Sequence, residues 1–149
     1  MTMPQSYIYC AKYNNIICYI GQTSDPDGYR TSHYVDAANK AYNLLLPLDR
    51  AIRDLGADNF KFVTYHKDGV LWSTQRSYEL YCMENILIKK YRTLMPNGYN
   101  QTINTRECNI CLNYYPIEQG KYNYEHFKRT GLWIFEDFDC IKNHSPLHH

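Results

Sequence analysis

From Ser6 to Gly21 (SYIYCAKYNNIICYIG) aromatic and β-branched residues fill two runs on either side of a polar Asn14-Asn15 pair. That pattern predicts a β-hairpin: such side chains suit a pleated surface, and asparagine tolerates the positive φ of a tight turn. Turn length decides which residues share a face. A three-residue turn over Tyr13 to Asn15 sets Tyr9 directly across from Tyr19, whereas a two-residue Asn14-Asn15 turn pairs Tyr9 with Ile20 and separates the phenols. The three-residue turn is the expectation.

The polar loop Gln22 to Gly28 follows, with Ser24 or Asp25 placed to cap a helix that begins near Pro26 and runs through Tyr29 to Tyr42. Leu48, Ala51, Ile52 and Leu55 then recur at helical spacing, with Pro47 suited to the first turn and Gly56 to the position past the end. On this helix Asp49, Arg50, Arg53 and Asp54 are expected on the wet side. Lys61 to Lys67 reads as a third strand closed by Asp68-Gly69, with His66 exposed near its end. The longest helical pattern is Ser73 to Leu94. At about 100° per residue, Leu80, Leu87, Ile88 and Tyr91 share one face, and Glu84 falls inside it. A carboxylate there needs a cation, a metal or dense hydrogen bonding, since burying an unpaired charge costs several kcal/mol. Met95 to Asn100 (MPNGYN) ends the helix in a turn. The pattern as a whole predicts a small α/β (α+β) domain over residues 1–100, a three-stranded antiparallel sheet flanked by helices, and a short irregular C-terminal extension over 101–149.

Composition changes this picture little. The formal net charge is +1, so nucleic-acid affinity has to come from a local cluster, for which Lys89, Lys90 and Arg92 are the best candidates. The six cysteines, the lack of a secretory leader pattern and the lack of a long apolar run predict a soluble, intracellular, thiol-reduced protein with no membrane segment. Cys10, Cys18 and Cys82 are expected as small apolar filler.

Tyr7-Ile8-Tyr9 followed by Tyr19-Ile20-Gly21 resembles the paired motif of the GIY-YIG nucleases, and the ordered residues after it extend the resemblance to about Asn100. One departure is Tyr7, which stands where the first motif has glycine. The resemblance implies metal-dependent DNA endonuclease activity. It carries catalytic roles to Arg30 and His33, makes Glu84 the ligand of Mg²⁺ or Mn²⁺, and makes Asn100 the asparagine that supports the active site. It also assigns Tyr9 as base for the attacking water, Tyr19 as its support, and His33 as an alternative proton carrier. The residue types suit that chemistry. Arg30 offers a fork for phosphate, Glu84 is a hard oxygen ligand, and a single carboxylate implies one metal. A nearby cation and Arg30 are expected to favour the phenolate of a tyrosine whose ordinary pKa is about 10. The rival expectation is a module of the same fold that binds nucleic acid without cutting it.

In the tail, Cys108-x2-Cys111 with His126 and Cys140, or His144 in place of Cys140, assembles four Zn²⁺ ligands. The alternative is a Tyr-rich extension whose Trp133, Ile134, Phe135 and Phe138 pack back on the first domain.

Overall fold

The computed structural model describes residues 4–110 and 112–138, a mixed α+β chain that divides into two compact units after Ile103. In the first unit β1 (Ser6–Tyr13) and β2 (Ile16–Thr23) form the expected hairpin around a shorter turn than expected. Asn14 and Asn15 adopt φ of 50° and 67°, the left-handed pair that a two-residue turn of matching twist requires. Tyr13 therefore pairs with Ile16 and Lys12 with Ile17. The register then slips: Ala11 pairs with Tyr19 and Tyr9 with Gly21, leaving Cys18 as an extra residue in β2. That bulge reverses the consequence of the short turn. Alternation along the two strands now places Tyr9, Ala11, Tyr19 and Gly21 on one face, and the two phenol rings lie 6.1 Å apart. The phenols share a face as expected, through a pairing that the turn alone did not foretell.

The Met95–Asn100 turn holds the bulge in place. Tyr99 N–H donates to the Cys18 carbonyl at 2.8 Å, and a Cβ on Gly98 would stand 2.7 Å from that same oxygen. Glycine here allows a close backbone approach.

The first helix, α1 (Tyr29–Asn39), starts later than expected. The Asp25 carboxylate accepts from the N–H groups of Asp27 and Gly28, both at 3.1 Å, and so closes the preceding turn rather than capping the helix. It also ends earlier, and Tyr42–Leu44 is a separate 3-10 turn. α2 (Pro47–Leu55) has the expected bounds, with Pro47 in its first turn and Gly56 at φ 94° beyond its last. Ala37 of α1 and Leu48, Ala51 and Ile52 of α2 bury against Ala11, Cys18 and Phe60.

β3 (Phe60–Thr64) pairs antiparallel with β1 and stops short of Lys67. β4 (His66–Lys67) and β5 (Val70–Leu71) form their own hairpin, because Asp68 and Gly69 both take positive φ and reverse the chain at once. His66 is exposed, as expected. β6 (Ser73–Thr74) then pairs with Ser6 and Tyr7 of β1. The sheet thus has four strands rather than three, and residues expected in the long helix provide the fourth. α3 (Ser77–Tyr91) is shorter than its pattern at both ends. It buries Leu80, Leu87 and Ile88 against Ile8, Cys10 and Ile20, while Tyr91 is exposed. Ala11 facing one way and Ile8 and Cys10 the other give the sheet a core on each face, at roughly 1.5–3 kcal/mol per fully buried large aliphatic side chain.

The second unit is more regular than an irregular extension. β7 (Thr105–Glu107) pairs with β8 (Tyr114–Pro116), and β9 (Gly120–Tyr122) pairs with β10 (Phe135–Asp137). Between the latter two lies α4 (Tyr124–Thr130), capped by Asn123, whose side chain accepts from His126 N–H at 2.8 Å. The Trp133 ring stacks on Phe127 at 4.2 Å, and Phe135 is buried. No helix among the described residues is long and apolar enough to cross a membrane.

Cys10 and Cys18 are core filler, and both are unpaired thiols. Burial pushes each up from 9.0 to about 11. A raised folded value means that the folded chain keeps a proton that the unfolded chain has lost, so stability is intact below the unfolded value and falls as pH climbs through the folded one. Denaturant unfolding between pH 9 and 11 should therefore show a loss of about 2–3 kcal/mol per thiol, at about 1.4 kcal/mol per pH unit, and Cys10→Ala should remove its share of the slope.

Candidate active site

Tyr9 is 5% exposed at the centre of an aromatic cluster. Its ring stacks on Tyr29 at 4.1 Å with planes 20° apart and lies over Gly21, where a side chain would intrude upon it. One helical turn beyond Tyr29, His33 projects from the same face of α1 and stacks on Phe62. Its Nε2 is 2.6 Å from the Tyr9 hydroxyl, and its Nδ1 is 2.7 Å from Oδ1 of Asp49. All three groups are buried, Asp49 to 2% exposure.

Asp49 corrects the expectation that it lies on the wet side of α2. Hydropathy along one helix separates polar from apolar positions, but it cannot see a histidine arriving from another helix. The signal that would have found it is the pairing rule: a buried His33 needs an acceptor, and an acid beside the apolar stripe of the neighbouring helix can supply one.

The partners set the proton positions. An ionised carboxylate only accepts, so Nδ1 of His33 carries a hydrogen and a neutral ring presents its Nε2 lone pair to the Tyr9 O–H. Donation then runs from Tyr9 to Nε2 of His33 and from Nδ1 of His33 to Asp49. The Tyr19 ring lies 6.1 Å from that of Tyr9, close enough for each phenol to influence the acidity of the other.

Burial above all, then the Tyr19 hydroxyl and the Asp49 charge, pushes the Tyr9 phenol well above its ordinary value. Tyr19 is raised by burial, then by Glu84 and Asp49, with Tyr9 acting the other way. For the protein by itself the expected drift toward phenolate is therefore reversed. The Arg30 charge lowers the hydroxyls of Tyr29 and Tyr34, where burial is the larger and opposing influence.

Glu84 lies where the wheel put it, 8% exposed on α3 among Leu80, Leu87 and Ile88, and its charge reaches Tyr19. Glu79 is different: it accepts from Thr74 Oγ1 at 2.7 Å and pairs with Arg76 at 3.5 Å on the rim. Asn100 is buried and clamps β2. Its Oδ1 accepts from Ile20 N–H at 2.9 Å and from Thr93 Oγ1 at 2.7 Å, and its Nδ2 donates to the Ile20 carbonyl at 2.9 Å. It therefore acts on the site through the strand segment between Tyr19 and Gly21. Arg30 is exposed on α1, and Tyr7 pairs with Thr23 and Ser73 at the end of the sheet. Lys89 and Lys90 are exposed in the last turn of α3, and Arg92 is exposed just after it.

The donor set suits a hard cation. Glu84 offers a buried carboxylate whose charge reaches the Tyr19 phenol, and a hard oxygen donor of this kind fits Mg²⁺ or Mn²⁺ better than a softer metal. Of the four residues expected to hold zinc, Cys108 is fully buried on the β7–β8 turn and its Sγ accepts from Ile110 N–H at 3.4 Å. His126 lies on α4 with Nδ1 3.4 Å from Arg129 Nη2. Cys111 and Cys140 lie outside the described residues, as does His144. Among the described residues no group of three or more His, Cys, Asp or Glu side chains is placed to share a metal ion.

No family model, no curated protein and no solved structure matches the chain.

Proposed function

We propose that the chain is a metal-dependent DNA endonuclease of the GIY-YIG type. The observation that supports this reading best is the convergence of Tyr9, Tyr19 and His33 into one buried cluster, in which Tyr9 is hydrogen-bonded to His33 and Tyr19 feels the buried Glu84 charge. Cleavage needs a group to take the proton of the attacking water, positive charge on the phosphate, and stabilisation of the leaving 3′ oxygen. Tyr9 takes the proton, and Tyr19, its ring 6.1 Å away on the same face, supports it. Arg30, exposed and permanently charged, grips the phosphate with its planar fork. Glu84 holds the divalent ion, which when bound would supply Lewis-acid stabilisation of the charge on the phosphate. Asn100 keeps β2 in register beneath the phenols. Lys89, Lys90 and Arg92 give a chain of formal net charge +1 a local basic patch for the DNA backbone.

Nicking of supercoiled plasmid tests the reading. The purified chain is expected to relax plasmid with Mg²⁺ or Mn²⁺ and to stop when the metal is chelated. Arg30→Ala is expected to slow cleavage about 10²- to 10³-fold, the scale for losing one preorganised charge, while DNA is still retained in gel-shift assays. No cleavage with any divalent metal, together with retained DNA binding, would replace the nuclease by a non-cutting nucleic-acid-binding module.

A further inference from the structure

We propose that Asp49 is a positioning residue of this nuclease, fixing His33 so that its Nε2 receives the proton that Tyr9 passes on from the attacking water. The inference rests on the nuclease reading and goes beyond it by naming where the proton ends. Nothing in the motifs around Tyr9 and Tyr19 points to Asp49; the geometry does. Two short hydrogen bonds run in series through one imidazole, 2.7 Å on the Asp49 side and 2.6 Å on the Tyr9 side, with all three residues buried.

The chemistry follows from what each group can donate. As the water oxygen forms its bond to phosphorus, one water proton moves to the Tyr9 oxygen and the Tyr9 proton moves to Nε2 of His33. The P–O3′ bond breaks, and its electron pair leaves with the 3′ oxygen, which takes a proton from solvent. Tyr9 is neutral before and after, so no buried phenolate accumulates at a site where burial and the Asp49 charge both oppose one. The positive charge appears on His33, 2.7 Å from a carboxylate that already holds its other nitrogen. Orientation matters as much as charge. Phe62 stacks on the ring with planes 15° apart, and Asp49 on Nδ1 leaves the Nε2 lone pair nowhere to point but at Tyr9.

Asp49→Asn keeps the shape of the side chain while removing its charge and changing the form of the ring nitrogen it can satisfy. An asparagine can satisfy Nδ1 with its N–H₂ as donor, which moves the ring hydrogen to Nε2 and closes the route from Tyr9. Replacing an acid by its amide beside a catalytic imidazole costs on the order of 10⁴-fold when it imposes the wrong tautomer. We expect kcat to fall about 10²- to 10⁴-fold with KM for plasmid within about threefold. Nitrogen-15 NMR of ring-labelled protein reads the tautomer directly. Wild type should show hydrogen on Nδ1 and a bare Nε2, and D49N the reverse. The wild-type spectrum needs no variant, so it decides the point even if D49N fails to fold; hydrogen on Nε2 in wild type would overturn the proposal. It would also fall if D49N folds, shows the switched tautomer and cleaves at the wild-type rate. If wild type itself never cleaves, the nuclease reading fails and takes this role with it, whereas cleavage by wild type and D49N alike removes Asp49 alone.

Discussion

Glu84→Gln is expected to lower plasmid cleavage about 10³-fold or more while DNA binding stays within about threefold, because on the proposed function the substitution removes the negative charge that holds the divalent ion and keeps the side chain's shape. Glu84 is 8% exposed on α3, whose other buried residues are Leu80, Asn85, Leu87 and Ile88. A buried carboxylate needs hydrogen-bonding, ionic or metal partners to offset the water it has lost. The same position lets its charge raise the Tyr19 hydroxyl, which ties the carboxylate to the phenol cluster. A bound cation would oppose that influence, so metal binding and phenol acidity are linked through one side chain. The thermal readout is independent of cleavage. A divalent ion at about 100 times its Kd stabilises a folded protein by about 2.7 kcal/mol, and at this chain length each kcal/mol moves Tm by roughly 2–4 °C. Wild type should show that rise with Mg²⁺ or Mn²⁺, and Glu84→Gln should lose it. An equal metal-induced rise in both proteins would show that Glu84 does not hold the ion.

What could be read from the residues divides along a physical line. Contacts local in sequence were legible: the hairpin from its Asn-Asn pair, α2 from Pro47, its apolar stripe and Gly56, and Glu84 from its place on a helical wheel. Contacts between elements were not. The Cys18 bulge depends on Tyr99 and Gly98, some eighty residues away, so no rule applied within the hairpin could have set its register. Ser73-Thr74 carry helix-compatible neighbours, yet β1 offers them a free edge and sheet pairing prevails. The burial of Asp49 follows from His33, which a wheel drawn for α2 alone does not contain. His33 and Asn100 were picked out by resemblance, and in each case the structure shows what the side chain holds: the Tyr9 hydroxyl for one and the Ile20 backbone for the other.

Gly21→Ala is expected to disable the site from a position that carries no functional group. A Cβ there would fall inside the van der Waals shell of the Tyr9 ring, 2.5 Å from its Oη and 2.8 Å from its Cε1. The ring cannot swing away freely, since Tyr29 stacks on it at 4.1 Å and His33 holds its hydroxyl at 2.6 Å. Either Tyr9 leaves its bond to His33, or β1 and β2 part at the Tyr9–Gly21 pair. Overpacking of this kind costs typically 1–3 kcal/mol, and displacing a reacting group by about 1 Å costs about 10²-fold in rate. The stability loss should vanish in a background without the ring. In a double-mutant cycle with Tyr9→Ala the stability cost of Gly21→Ala should shrink to within about 0.5 kcal/mol, because the three atoms nearest the added Cβ all belong to the Tyr9 ring. Additive costs would mean that the glycine is required by its own backbone and not by the phenol above it. The glycine of the Tyr19-Ile20-Gly21 segment would then have no part in placing the base. Coupled costs would make it the floor on which Tyr9 rests, so that the second tripeptide acts by leaving room for the tyrosine of the first.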